Sequence, residues 1–106
     1  MTPIADANRE IAESLQVARG IALWMLGDSA GIVDADTDSG MYAGRIIGET
    51  KYHTIQRVLP QSAVAHPKHL LNNTPQVGQA VQIIYAREHG SVREWRLKQR
   101  ERELGR

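Results

Sequence analysis

Two hydrophobic periods divide this chain. In the first part Ile4, Ile11, Leu15, Ala18, Ala22 and Met25 follow one another at spacings of seven, four, three, four and three residues. That stripe predicts an amphipathic α-helix from Ala7 to about Leu26. Asp6 stands where a cap belongs, and Glu10 and Glu13 fall early in the helix, where its dipole favours acids. Val17, Ile21 and Trp24 add a second stripe, so the last two turns are apolar nearly all round. Gly20 costs a helix interior about 1 kcal/mol relative to alanine, which leads us to expect close approach of another backbone there. Gly27 ends the helix as a left-handed cap.

From Tyr42 the period falls to two. Tyr42–Glu49, Tyr52–Leu59, Ser62–Ala65, Gln79–Ala86 and Ser91–Trp95 read as strands, and Gly31–Asp34 as a short additional one. Thr50-Lys51, Pro60-Gln61 and Glu88-His89-Gly90 supply the turns, and Gly44 and Gly48 mark bends or bulges inside a strand. His66-Pro67 opens one helical turn, with Pro67 at the first helical position, before Asn72-Asn73-Thr74-Pro75 breaks the chain again. The expected fold is α+β. An amino-terminal helix (residues 1–27) precedes a small, strongly bent antiparallel sheet closing towards an SH3-like or OB-like barrel (28–95), and a basic helical tail follows (96–106).

Composition narrows the chemistry. With no cysteine among 106 residues, disulfides, thiolate zinc sites and thiol nucleophiles are excluded. The longest apolar run, Ile21 to Leu26, is far short of the roughly 18–20 residues that span a bilayer. No basic segment precedes an apolar run near Met1, so a soluble, cytoplasmic protein without membrane contact is expected. Charge is divided unevenly. Residues 1–40 set two arginines against seven acids, a net of −5, whereas residues 41–106 set eleven basic residues against five acids, a net of +6. The basic half predicts a surface for nucleic acid, and the acidic half folding back on it accounts for the split equally well.

The motifs of catalysis are incomplete. Asp34, Asp36 and Asp38 begin like a calcium loop, but Ser39 and Arg45 stand where glycine and glutamate are required. His66 and His69 with His53 form a conceivable zinc triad, yet Pro67 makes His66 a structural residue of the turn. Ser62 lies near His66 without a nucleophile elbow, and no phosphate-binding glycine loop occurs. No catalytic residue, metal or cofactor is assigned, and the chain is expected not to be an enzyme. Binding has better support. Arg45, Lys51, Arg57, Lys68, Arg87, Arg93 and Arg96 come from several strands and turns, and Tyr52, Tyr85 or Trp95 would stack on bases. That favours single-stranded nucleic acid with little sequence preference. The competing expectation is a protein-interaction module, either a partner scaffold or an inhibitor of a host defence complex. It would use the acidic loop and the helix, whose Ile11, Leu15, Ala18, Ala22 and Met25 would meet a partner or a second copy.

Several segments together carry a resemblance. Gly44-Arg45-Ile46-Ile47-Gly48-Glu49-Thr50, His53-Thr54-Ile55-Gln56, Ala63-Val64-Ala65-His66-Pro67 with Leu70-Leu71, Pro75-Gln76-Val77-Gly78-Gln79 and Ile83-Ile84-Tyr85 resemble the KfrB domain. The resemblance runs from about Leu26 to Glu94. It implies an accessory protein of a plasmid or other mobile element, built around a small β-rich domain. It carries over no active site.

Overall fold

Helix α1 occupies Pro3–Leu26 in the computed structural model, which describes residues 3–95. It begins upstream of Asp6, so that aspartate lies inside the helix and does not cap it. Proline is well suited to the opening turn because its missing N–H would be unpaired there in any case. Gly27, at φ +100°, ends the helix by donating its N–H to the carbonyl of Leu23 at 3.0 Å.

Six strands follow: β1 (Gly31–Asp34), β2 (Met41–Glu49), β3 (His53–Leu59), β4 (Ser62–Pro67), β5 (Ala80–Ala86) and β6 (His89–Glu94). They form one sheet in the order β1-β4-β3-β2-β5-β6. Every neighbouring pair is antiparallel except β1 and β4, which run parallel with Gly31 opposite Ser62. The sheet is therefore mixed and open, not an antiparallel barrel. The reason is two-sided burial. His53–Gln56 of β3 and Ala63–His66 of β4 are buried without interruption, so neither face of these strands is left to form the outside of a barrel.

One face receives α1. Ala18 and Ala22 pack on Ile55 and Ala63, with Ile21, Leu26, Ile32 and Ile47 around them. Two alanines let the helix lie close to the strands, and a Cβ at Gly48 would stand 2.8 Å from Ile21 Cγ2. The opposite face carries Ile46, Val81, Ile83 and Tyr85. Leu70 and Leu71 fold over it from the segment after β4, which begins with a 3₁₀ turn at Lys68–Leu70.

Two features bend the sheet. Register shifts between Ile46 and Gly48 on β2 and between Arg57 and Leu59 on β3 mark bulges. Gly44 lies so near β3 that a Cβ there would be 1.8 Å from the Arg57 carbonyl oxygen. Two local expectations are corrected. His66 and Pro67 complete β4, and the helical turn starts only at Lys68. Pro67 is tolerated as the last residue of the strand, where a ladder N–H is no longer needed. The β5–β6 loop is the pair Arg87-Glu88, both at positive φ (49° and 69°), the conformation of a tight hairpin turn. The tail, residues 96–106, lies outside the described residues.

Candidate nucleic-acid interface

Strand register assembles a row of side chains that sequence spacing does not reveal. Arg57 on β3 is opposite Arg45 on β2, and Arg45 is opposite Ala80 on β5. Trp95, just past β6, donates its N–H to the Ala80 carbonyl at 3.1 Å and extends the row. Alternation puts Arg57 and Arg45 on the face that α1 covers elsewhere, but beyond the helix. Ala43, Gln82 and Arg93 form the next row on that face, since Gln82 pairs with both Ala43 and Arg93.

Arg45, Arg57 and Arg93 are exposed, and among the described residues none of them pairs with a carboxylate. Arg45 donates from a guanidinium nitrogen to the Gly78 carbonyl, which orients it while leaving most of its donors unused. An open groove of about 240 Å³ lies beside the first two of these arginines, lined by Arg45, Arg57, Val58, Leu59, Pro60 and Trp95, with Ala43 and Gly44 completing it.

The other basic candidates are elsewhere. Lys51 lies 3.6 Å from Glu10 of α1, and its ammonium stands 5.3 Å from the centre of the Tyr52 ring. Tyr52 donates its hydroxyl to the same Glu10 carboxylate. That hydrogen bond, followed by the Lys51 charge, lowers the Glu10 pKa. It also raises that of Tyr52. Lys68 pairs with Glu49 at 3.5 Å, and Arg87 sits in the β5–β6 turn. Arg96 lies outside the described residues. The helical stripe also divides. Ala18 and Ala22 are turned into the chain's own core, Leu15 is half-buried, and Ile11 and Met25 are exposed.

The histidines do not converge. His66 is opposite Thr54 on β3, so it shares that residue's face, and His53, the next residue along β3, points the other way. On the α1 side, the Ser14 hydroxyl contacts His53 Nδ1 at 2.9 Å and accepts the Tyr52 N–H at 3.1 Å. Ser14 also hydrogen-bonds Thr50 of the β2–β3 turn. Burial lowers the His53 pKa, which keeps Nδ1 available as an acceptor. Ser14 and His53 are each 5% exposed, so the pair fastens the helix to the hairpin and presents no hydroxyl to a substrate.

On the far side, His66, Gln56 and Tyr85 form a buried network. The Gln56 amide nitrogen donates to the carbonyls of Gly44 (3.1 Å) and Val81 (2.9 Å), which leaves its oxygen to accept from His66 Nε2 at 2.9 Å. His66 Nδ1 must then accept from the Tyr85 hydroxyl at 2.6 Å. This is a neutral imidazole with both nitrogens satisfied, and burial accordingly depresses its pKa to about 4. Burial raises that of Tyr85. The sequence offered His66 and Tyr85 as separate candidates; their link through Gln56 depends on three strands meeting and has no local signal.

Fold and face together define a small α+β module that presents an exposed arginine face on an open sheet. The model of the KfrB Domain matches residues 41–94, half of the chain, and the chain belongs to that family. The match begins at the first residue of β2 and ends at the last of β6, so it holds Arg45, Arg57 and Arg93 and leaves out α1 and β1. Neither the comparison with curated proteins nor that with solved structures gave a match. Among the described residues no helix is long and apolar enough to cross a membrane.

Proposed function

We propose that this chain is a non-enzymatic accessory module of a plasmid or other mobile element, and that it binds nucleic acid through the Arg45–Arg57–Arg93 face. Family membership supports the setting. The observation that carries the binding is the face itself. Three arginines from three strands share it, and their nearest strand neighbours on it, Ala43, Ala63, Ala80 and Gln82, are all uncharged. Phosphate contacts by such groups release counterions, so binding weakens steeply with salt. Fluorescence polarisation with labelled single- and double-stranded oligonucleotides at about 50 and 200 mM salt tests this. The expected result is salt-sensitive binding that is lost in Arg45→Glu/Arg57→Glu. Absence of salt-sensitive binding at tens of micromolar rejects it.

A protein-interaction role is the second reading, favoured by the outer side of α1. Trp24 is 85% exposed there, with Val17 at 56% and Leu23 at 47%. Light scattering on the wild type and Trp24→Glu tests its self-association form, for which a dimer that dissociates in the variant is expected.

A further inference from the structure

We infer that the groove between Arg57 and Trp95 seats one unpaired base of a single strand, and that the Arg45–Arg57 pair holds the adjoining phosphate. The inference rests on the nucleic-acid reading above and narrows it from nucleic acid in general to an unstacked, single-stranded form.

The first argument is the charge pair. Arg45 and Arg57 are direct cross-strand partners, and neighbouring strands are only about 5 Å apart. Like charges placed opposite one another in a sheet oppose pairing. Glu10 and Glu49 are engaged with Lys51 and Lys68, so neither relieves this pair. An anion between the two guanidinium groups would, and their planar forks match phosphate oxygens. Arg45 is already oriented by the Gly78 carbonyl, which lowers the cost of fixing it on a ligand.

The second argument is the shape and lining of the groove. Its walls are apolar at Val58, Leu59 and Pro60, with the half-buried Trp95 beside them. At about 240 Å³ it is smaller than the roughly 300–1,000 Å³ of pockets that enclose drug-sized molecules or cofactors. One planar ring against an indole suits that space. Ala80 separates Arg45 from Trp95 in the row by no more than a methyl group, so ring and phosphate sites are adjacent. Arg93, one row away on the same face, provides for the next phosphate.

The third argument concerns strandedness. A duplex offers phosphates to the arginines, but its bases are stacked and paired, and none is presented to Trp95. A single strand offers both, and stacking on an aromatic surface tolerates every base. The groove's side-chain walls read no base edge, so little sequence preference is expected.

The test uses the full chain carrying Trp24→Phe. Of the chain's two tryptophans this leaves only Trp95 as an intrinsic fluorophore. The probes are a thymidine 12-mer, the same length of abasic sugar-phosphate strand, and a 12-base-pair duplex. The thymidine strand is expected to quench Trp95, the abasic strand and duplex to leave it unquenched. Trp95→Ala is expected to weaken thymidine-strand binding about tenfold and to leave abasic-strand binding unchanged. A thermal melt of Trp95→Ala checks its fold. If that variant is unfolded, the abasic strand decides in the Trp24→Phe chain, where binding as tight as the thymidine strand overturns the inference. Equal binding of single strand and duplex without quenching also overturns it, while leaving general nucleic-acid binding in place. No binding of any probe overturns both.

Discussion

Strands β2 and β3 run from beneath α1 out onto bare surface, and on that one face their side chains change at the helix boundary. Under the helix the positions are His53, Ile55 and Ile47, in contact with Ser14, Ala18, Ala22 and their neighbours. Further along the same strands they become Arg57 and Arg45, exposed and directly opposed. Charge follows the same division. Near the helix Lys51 and Glu10 come as a pair, whereas on the bare part the arginines have no carboxylate among the described residues. A covered surface has to satisfy each group within the protein. A bare one can hold opposed cations because water solvates them, and it is the part still able to gain from a ligand.

The largest effect is expected under the helix. Ala18→Glu would bury an uncompensated charge where Ala18 is 0% exposed, and should cost about 4 kcal/mol in urea denaturation. Next is the junction of the two parts. Gly44→Ala would put a Cβ 1.8 Å from the Arg57 carbonyl oxygen, a backbone atom that no rotamer change moves aside. A loss of about 3 kcal/mol is expected, together with a disturbed Arg45–Arg57 spacing and weaker oligonucleotide binding.

Acid should act on the layer behind both parts. The His66 pKa is about 4 folded against about 6.5 unfolded, so between these values the unfolded chain binds the extra proton. The stabilisation is complete above about 6.5 and falls as the pH drops towards 4, by about 2 kcal/mol at pH 5. Denaturation of wild type and His66→Gln at pH 7 and pH 5 isolates this share, and an equal pH dependence in both would refute it. The smallest effect belongs to the bare part. Arg45→Glu should change stability by no more than about 0.5 kcal/mol while reducing oligonucleotide affinity and its salt slope. A large loss of stability there would erase the distinction between the two parts.

Much of the architecture is legible in the residues. The seven-four-three spacing places α1, and alternation places β2, β3 and β5 to within a residue or two. Partner choice is not local. Nothing in Gly31–Asp34 points to Ser62–Ala65 as its parallel neighbour, so the mixed, open sheet is not foreseeable from periodicity. Pro67 reads as a helix opener because proline suits that position, yet β4 uses it as a terminus. The helical stripe shows which side of α1 is apolar without showing whose strands it meets. Ala18 and Ala22, being small, fit a close sheet more readily than a large knob of a second helix. The basic residues of the candidate interface are visible individually. Their division into the exposed trio and the paired Lys51 and Lys68 requires the register.

The parallel seat of β1 has a consequence for the order of assembly. The β2–β3–β4 meander and the β5–β6 hairpin join segments close in the chain, whereas β1 can dock only after β4 exists to receive it. Its attachment is slight: four residues at a sheet edge, flanked by the 2.9 Å Gly31–Gln61 and 3.1 Å Ala35–Ala65 backbone hydrogen bonds. In native-state hydrogen exchange the amides of β1 should therefore lose protection before those of β3, through local detachment that leaves the arginine-bearing strands folded.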